Sequence, residues 1–194
     1  MINAIDMNSR RRVLAGTALS LSAVGALALL GQTTRAAGSV AASPNVGQDV
    51  QLLNAALALE DEGIAAYQIG AESKLLTPDV LKIAVTFQGH HKQRRDDLTA
   101  AIKRLGGKAI EPKSQADYAK SLGTATLKDQ AGVLRLALKL ERGATNAYLG
   151  LISSLDQSDL YLLAARTASD ESFHAAVLGN ALGEAIPQKA PMFG

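Results

Sequence analysis

The residues with the clearest chemical pattern in this sequence are acidic and imidazole side chains at helical spacing. Glu171 and His174 are three positions apart, which places both side chains on one face of a helix. His91 holds a corresponding place earlier in the chain, three positions after Gln88. The sequence contains no cysteine, so any metal site must use nitrogen and oxygen ligands. Carboxylate and imidazole donors together suit iron, manganese or zinc.

Two further glutamates occupy matching places in an internal repeat. Glu60 is followed seven positions later by Tyr67, and Glu141 is followed at the same spacing by Tyr148. Each of these pairs precedes one of the two segments that contain the histidines, so the chain is interpreted as one helical hairpin written twice. The tyrosines are predicted to be core residues with hydrogen-bonded hydroxyls. A radical or electron-relay role for them is the weaker alternative.

The elements that carry these residues are predicted to be helices. All five prolines lie outside the long apolar-periodic stretches, which contain few β-branched or aromatic side chains. N-cap, proline and glycine signals predict four helices, at about 48–73, 78–105, from a cap at Thr126 to 154, and from a cap at Ser158 to 182. Residues 106–126 are long enough to cross the length of a bundle, with a short helical piece near 114–122.

The predicted helices bring the acidic and imidazole residues to one level. Glu60 and His91 are equally far from the first interhelical turn, and Glu141 and Glu171 are nearly equally far from the second. At the rise of an α-helix this level is roughly 23 Å from each hairpin end, near the middle of the bundle. Burying three carboxylates and two imidazoles there is unfavourable unless a cation compensates their charge. The sequence therefore predicts a metal site with the ligands Glu60, His91, Glu141, Glu171 and His174.

In these residues the chain resembles the ferritin-like four-helix proteins, in which two helices each give one Glu and two give Glu-x-x-His. The resemblance implies an all-α, ferritin-like bundle of two hairpins joined by a long crossover, over residues 43–194. Five of the six family positions match, while Gln88 stands where the family has a bridging Glu. One ion, two ions held asymmetrically, or a loss of metal redox chemistry are all consistent with that change.

The neighbouring polar residues are predicted to lie at the surface. His90 is rotated by about 100 degrees from His91 on a helix, so it is expected to be a surface residue and not a replacement ligand. Isolated acidic residues on helices are mostly solvated. This expectation covers the acidic residues Asp61, Glu62, Glu72, Asp96 and Asp97.

Residues 1–42 resemble a twin-arginine export signal followed by a small-residue spacer. Ser9, Arg10, Arg11, Val13 and Leu14 match the motif, and a mildly apolar run of about 17 residues follows. A permanent anchor helix is the alternative, but the run contains glycines and hydroxyl residues and is short for a membrane span. A periplasmic or otherwise exported protein is expected, with no membrane association after cleavage. Without this segment the net charge changes from +2 to about −1, which does not favour nucleic-acid binding.

The resemblance implies a metalloprotein that binds iron or manganese, with zinc less expected, as one or two ions. Its activity would be linked to oxygen or peroxide, as in a ferroxidase or peroxidase that serves stress protection or metal handling. Paired bundles are common in the families it resembles, so a homodimer is an expectation. The alternative is a non-catalytic structural or binding protein with a degenerate site. A third interpretation is a single zinc or manganese ion held by Glu141, Glu171 and His174.

Overall fold

The computed structural model describes residues 45–190 and residue 193, so the predicted export signal lies outside the described residues. In the described part the chain forms five α-helices and two short 3₁₀ turns, with no strand. The prediction of an all-α bundle is confirmed. The helices are α1 (Val46–Glu72), α2 (Pro78–Arg104), α3 (Gln115–Leu122), α4 (Gln130–Ile152) and α5 (Tyr161–Ala181).

Most helix ends follow local signals that the sequence carries. The side chain of Asn45 caps α1 by accepting a hydrogen bond from the backbone N–H of Gln48 at 3.1 Å. Pro78 is the first residue of α2, where its missing N–H costs nothing. After α2, Gly106 adopts a left-handed conformation with φ of 75° and its N–H bonds back to the helix. The predicted start and stop of α2 are thus confirmed.

The predicted N-caps of the last two long helices were wrong by three residues and by two residues. Thr126 is the last residue of a 3₁₀ turn, where its hydroxyl donates to the carbonyl of Gly123, so it lies before the helix and not at its cap. Asp129 caps α4 instead, because its extended backbone lets the carboxylate accept from the N–H of Gly132 at 2.7 Å. Ser158 likewise begins a 3₁₀ turn that leads into α5.

The helices form two hairpins that pack against each other. Helix α1 packs along α2, and α4 packs along α5, while α1 also contacts α4. Helices α1 and α4 run antiparallel, because Glu60 meets Tyr148 and Tyr67 meets Glu141. The connection between the hairpins contains α3, which lies against α1. A long crossover with a short helix inside it is therefore confirmed.

The bundle core consists of two apolar clusters with a polar layer between them. The cluster near the α4–α5 turn includes Leu53, Leu98, Ile102 and Leu155, and the cluster near the α1–α2 turn includes Ala84, Phe87, Leu138 and Leu178. The predicted ligand residues lie between these clusters and are all buried. The apolar layers on both sides keep water from the polar layer and fix the heights of its side chains.

The expected exposure of two acidic residues of α1 was wrong. Asp61 is only 6% exposed and Glu62 only 5%, because the crossover segment and its helix α3 pack over this face of α1. Burial raises the pKa of Asp61 to about 6, although Arg95 opposes the rise. Glu72 and Asp96 are exposed as predicted, and Asp97 is partly exposed. No helix in the described part of the chain is long and apolar enough to cross a membrane.

Candidate metal centre

Four of the five predicted ligand residues converge in the polar layer of the bundle. His91 comes from α2, Glu141 from α4, and Glu171 and His174 come from α5. One potential ligand atom of each lies within 4.8 Å of the corresponding atoms of the other three. None of the four side chains is more than 5% exposed. This arrangement can hold a metal ion through two imidazoles and two carboxylates.

The distances among these donors are those of groups arranged around a common point. His91 Nε2 lies 3.3 Å from Glu141 Oε1, and His174 Nδ1 lies 3.4 Å from Glu141 Oε2. His174 Nδ1 is also 3.6 Å from Glu171 Oε2, which is longer than a hydrogen bond. Ligands bound to one tetrahedral ion at about 2.0–2.2 Å would be roughly 3.3–3.6 Å apart.

Glu171 supplies the strongest evidence that the centre fits a cation. Both of its carboxylate oxygens are buried, and neither accepts a hydrogen bond from a donor among the described residues. Only a proton on Glu171 itself could bond it to the adjacent Glu141. An unsatisfied buried polar atom costs about 1–3 kcal/mol, and more when it is charged. Burial raises the pKa of Glu171 well above its usual range, and the nearby Glu141 and Glu60 add to the rise while His91 opposes it. A bound cation would satisfy both oxygens and favour the ionised form.

In contrast to Glu171, whose raised pKa favours its neutral form, His91 and Glu141 have pKa values shifted toward their charged forms. Although burial opposes it, the carboxylates of Glu171 and Glu141 raise the pKa of His91 well above its usual range. For Glu141, burial is outweighed by His91 and by hydrogen bonds from its neighbours, so the pKa of this carboxyl lies well below its usual range. Without metal, His91 and Glu141 therefore form a buried ion pair. A cation that binds here must therefore displace a proton from His91 and balance the negative charge of Glu141 in its place.

Glu60 lies beside the four clustered donors and orients one of them. Its Oε2 is 2.8 Å from His91 Nδ1, and its Oε1 accepts a hydrogen bond from the hydroxyl of Tyr148. The sequence predicted that Glu60 and His91 face each other at one height, and the structure places them in direct contact. A carboxylate bonded to the second nitrogen of a ligating histidine fixes the orientation of the ring.

The two repeat tyrosines are buried and hydrogen-bonded, as the sequence predicted, and the structure shows that the partner of each is a glutamate of the other hairpin. Tyr67 of the first hairpin donates to Glu141 Oε1, and Tyr148 of the second donates to Glu60 Oε1. Burial and the adjacent carboxylate raise the pKa of both hydroxyls well above the usual range. Both tyrosines therefore remain protonated donors that hold the glutamates in place.

Close packing fixes both histidine rings. A Cβ atom on Gly63 would lie only 3.1 Å from the ring of His91, so a glycine at this position of α1 lets the imidazole approach the helix. The ring of Phe87 stacks on His174 with centroids 4.0 Å apart. The sequence pattern did not reveal either contact, because both depend on how neighbouring helices are rotated about their axes.

Gln88 is turned away from the clustered donors. Its amide nitrogen donates to the carbonyl of Ile64 at 3.1 Å and to Gln68 Oε1 at 2.8 Å. Its amide oxygen accepts from Lys92 Nζ at 2.9 Å. Both ends of the amide are thus occupied by partners outside the centre, which leaves the four donors described above as the group that can hold an ion.

His90 makes a contact that was not predicted from the sequence. It is exposed, as predicted, but its Nδ1 lies 2.9 Å from Nε2 of the buried His174. The two rings are nearly parallel, with centroids 5.2 Å apart. In a four-helix bundle each helix has two neighbours, so a residue rotated by about 100 degrees from one interface can still face the other. The sequence of α2 alone does not show on which side that second neighbour lies.

Helices that surround a buried group of carboxylates and histidines define a class of protein, the ferritin-type helical bundle. A family model described as a ferritin-like domain matches residues 48–184, and the chain belongs to this family. Its fold is similar to the crystal structure of a conserved hypothetical protein from Mycobacterium tuberculosis, with a TM-score of 0.63 and 23% identity. The similarity covers 76% of this chain and 99% of the other. A search of curated protein sequences finds no match.

Proposed function

We propose that this protein binds a divalent transition-metal ion through His91, Glu141, Glu171 and His174. The observation that carries the proposal is the buried carboxylate of Glu171, whose two oxygens accept no hydrogen bond from the described residues and lie next to three further donors. The donor set favours iron or manganese over zinc, because carboxylate-rich bundle centres of this family type usually hold those metals. One ion per chain is proposed, since Gln88 is engaged elsewhere.

The proposed activity is a reaction linked to oxygen or peroxide, in metal handling or stress protection outside the cytoplasm. Bound iron or manganese would supply the redox chemistry. Export by the twin-arginine pathway, which residues 9–14 suggest, is part of the proposal. Iron or manganese acquired before export would then stay with the folded chain.

The residues around the donors would control access and orientation. Glu60 and Tyr148 hold His91, while Tyr67 holds one oxygen of Glu141. The apolar clusters above and below the layer exclude bulk water. The chain would thus present a preoriented set of donors whose rearrangement on binding is small, which lowers the free-energy cost of binding.

Metal titration of the chelator-treated chain tests the proposal. Under anaerobic conditions, Fe²⁺ or Mn²⁺ should bind at about one ion per chain and raise the melting temperature. Glu171→Gln should abolish binding, while the matched change at an exposed glutamate, Glu111→Gln, should leave it intact. Oxygen or peroxide should then change the absorbance of the iron-loaded wild type only. Absence of bound metal with an unchanged melting temperature would instead favour a structural role.

A single ion without redox activity is a second candidate, and the orientation of Gln88 favours it. The oxygen-dependent absorbance of the iron-loaded wild type separates the two candidates. A Gln88→Glu variant then tests whether position 88 limits the centre to one ion, because its carboxylate would face the oxygens of Ile64 and Gln68, from which it would be repelled. If the new carboxylate turns into the centre, stoichiometry should increase from one ion to two and oxygen reactivity should appear or increase. If Lys92 retains it, stoichiometry should stay at one ion.

The role of His91 separates the four-donor centre from a centre formed by the second hairpin alone. In a site of Glu141, Glu171 and His174 only, His91→Ala would leave affinity unchanged. In the proposed four-donor site, the same change should weaken metal binding by at least tenfold. Isothermal titration with Zn²⁺, which needs no oxygen control, measures the difference directly.

A further inference from the structure

The contact between His90 and His174 joins an exposed side chain to a buried metal donor. His174 is 1% exposed, and its Nδ1 faces the carboxylates of Glu141 and Glu171. Its other ring nitrogen, Nε2, lies 2.9 Å from Nδ1 of His90. His174 therefore uses one nitrogen toward the centre and the other toward the surface residue. What His90 does at this contact decides which nitrogen of His174 is free for a metal.

The hydrogen at this contact has two positions with different consequences. If His90 Nδ1 donates, a neutral His174 carries its own hydrogen on Nδ1 and cannot ligate through that atom. If His90 Nδ1 accepts, the hydrogen is on His174 Nε2, and Nδ1 presents its lone pair toward Glu141 and Glu171. Only the second arrangement is compatible with ligation by the atom that faces the centre.

Neighbouring side chains hold the two imidazole rings in the orientation that this contact requires. Phe87 stacks on His174 at a centroid distance of 4.0 Å, and the His90 ring lies within 17° of parallel to it. Arg94, one helical turn after His90, is bound to Asp170 of α5, which ties this part of α2 to α5. The contact is thus part of the α2–α5 interface and not an isolated surface pair.

We propose that His90 is a positioning residue for the metal centre. When a metal ion is bound, His90 Nδ1 would accept the hydrogen of His174 Nε2, and the lone pair of His174 Nδ1 would then be available to the ion. The inference rests on the proposed metal binding and adds a residue outside the four donors. In most protein metal sites a carboxylate or carbonyl has this accepting role. Here a solvent-exposed imidazole has it.

Three variants test the role of the accepting atom. His90→Asn keeps an acceptor, because the side-chain oxygen of asparagine can reach the place of the imidazole Nδ1. His90→Phe keeps the planar ring but removes the acceptor. Gln93→Ala changes another exposed residue of α2 and serves as the control. Affinity for Co²⁺, followed by its visible absorption, and nitrogen NMR shifts of His174 in the Zn²⁺-loaded chain are the two measurements.

The expected result is a loss of Co²⁺ affinity of about 10- to 100-fold in His90→Phe, with His90→Asn within threefold of wild type. Nitrogen spectra of the Zn²⁺-loaded wild type should show hydrogen on Nε2 of His174, whereas in the metal-free chain Nδ1 carries the hydrogen toward Glu141. Equal affinity in wild type and His90→Phe, or hydrogen on Nδ1 of His174 in the Zn²⁺-loaded chain, would overturn the inference. A wild-type chain that binds neither Co²⁺ nor Zn²⁺ would contradict the proposed function and the inference with it, whereas either of the first two results would contradict the inference alone.

Discussion

Replacing Glu171 by Gln should change how the stability of the metal-free protein depends on pH. Burial is the main reason why the pKa of this carboxyl lies well above its usual range in the folded chain. Between the usual glutamate pKa near 4.5 and the raised folded value, the folded chain keeps a proton that the unfolded chain releases. Rising pH therefore favours the unfolded state in this window. Glutamine has no such proton, so the variant should lose this part of the pH dependence.

The size of the effect follows from proton linkage. One proton held only by the folded state lowers the free energy of unfolding by up to about 1.4 kcal/mol for each pH unit. From pH 5.0 to 6.5 the contribution of Glu171 is therefore up to about 2 kcal/mol. His91 does not contribute to it, because a histidine with a raised folded pKa keeps its stabilising effect below about pH 6.5. Asp61, with a pKa of about 6, adds a fall of the same sign in both proteins.

Urea unfolding in the presence of a chelator measures this difference. We expect the wild type to lose up to about 2 kcal/mol more than Glu171→Gln between pH 5.0 and 6.5. The exposed Glu111→Gln control should stay close to the wild type, because Glu111 makes only the smallest contribution to the raised pKa of Asp61. Parallel pH profiles for wild type and Glu171→Gln would refute the inference that Glu171 is a protonated, buried carboxyl in the metal-free chain.

Three other substitutions test the parts that support the centre. Gly63→Ala should weaken Zn²⁺ binding more than fivefold in calorimetric titration, because the new Cβ would press on the His91 ring. Its free energy of unfolding in urea should change by less than about 1 kcal/mol, because alanine favours the helix more than glycine does. Tyr148→Phe should cost about 1–3 kcal/mol in urea unfolding, because Glu60 loses a buried donor. Asp49→Ala should cost about 2–4 kcal/mol in the same assay without changing metal stoichiometry, because this buried carboxylate accepts two backbone N–H groups at the α4–α5 turn. An unchanged affinity in the first variant, or unchanged stability in the other two, would contradict these assignments.

The heights of residues along the bundle could be predicted from the sequence. A helix has a fixed rise per residue, so equal distances from a turn predicted that Glu60 and His91 would meet, and they are 2.8 Å apart. Proline and glycine signals also located the ends of α2, because these residues restrict or free the backbone in ways that do not depend on the rest of the fold.

The rotation of each helix and the path of the crossover could not be predicted from such signals. Asp61 and Glu62 are buried because the connection packs over α1, and nothing in the local sequence specifies that path. The orientation of Gln88 depends on Gln68 and Lys92, which are available only once the hairpin has formed. The contact of His90 with α5 was missed because the pattern of one helix does not show where its second neighbour lies.

Anomalous diffraction from crystals of the metal-loaded wild-type protein tests the central claim most directly. Data collected at the absorption edge of manganese or iron should show one peak per chain, about 2.0–2.3 Å from a donor atom of each of His91, Glu141, Glu171 and His174. The same peak should be missing from Glu171→Gln. No peak in the polar layer, or a metal bound only at the protein surface, would contradict a metal centre inside this bundle.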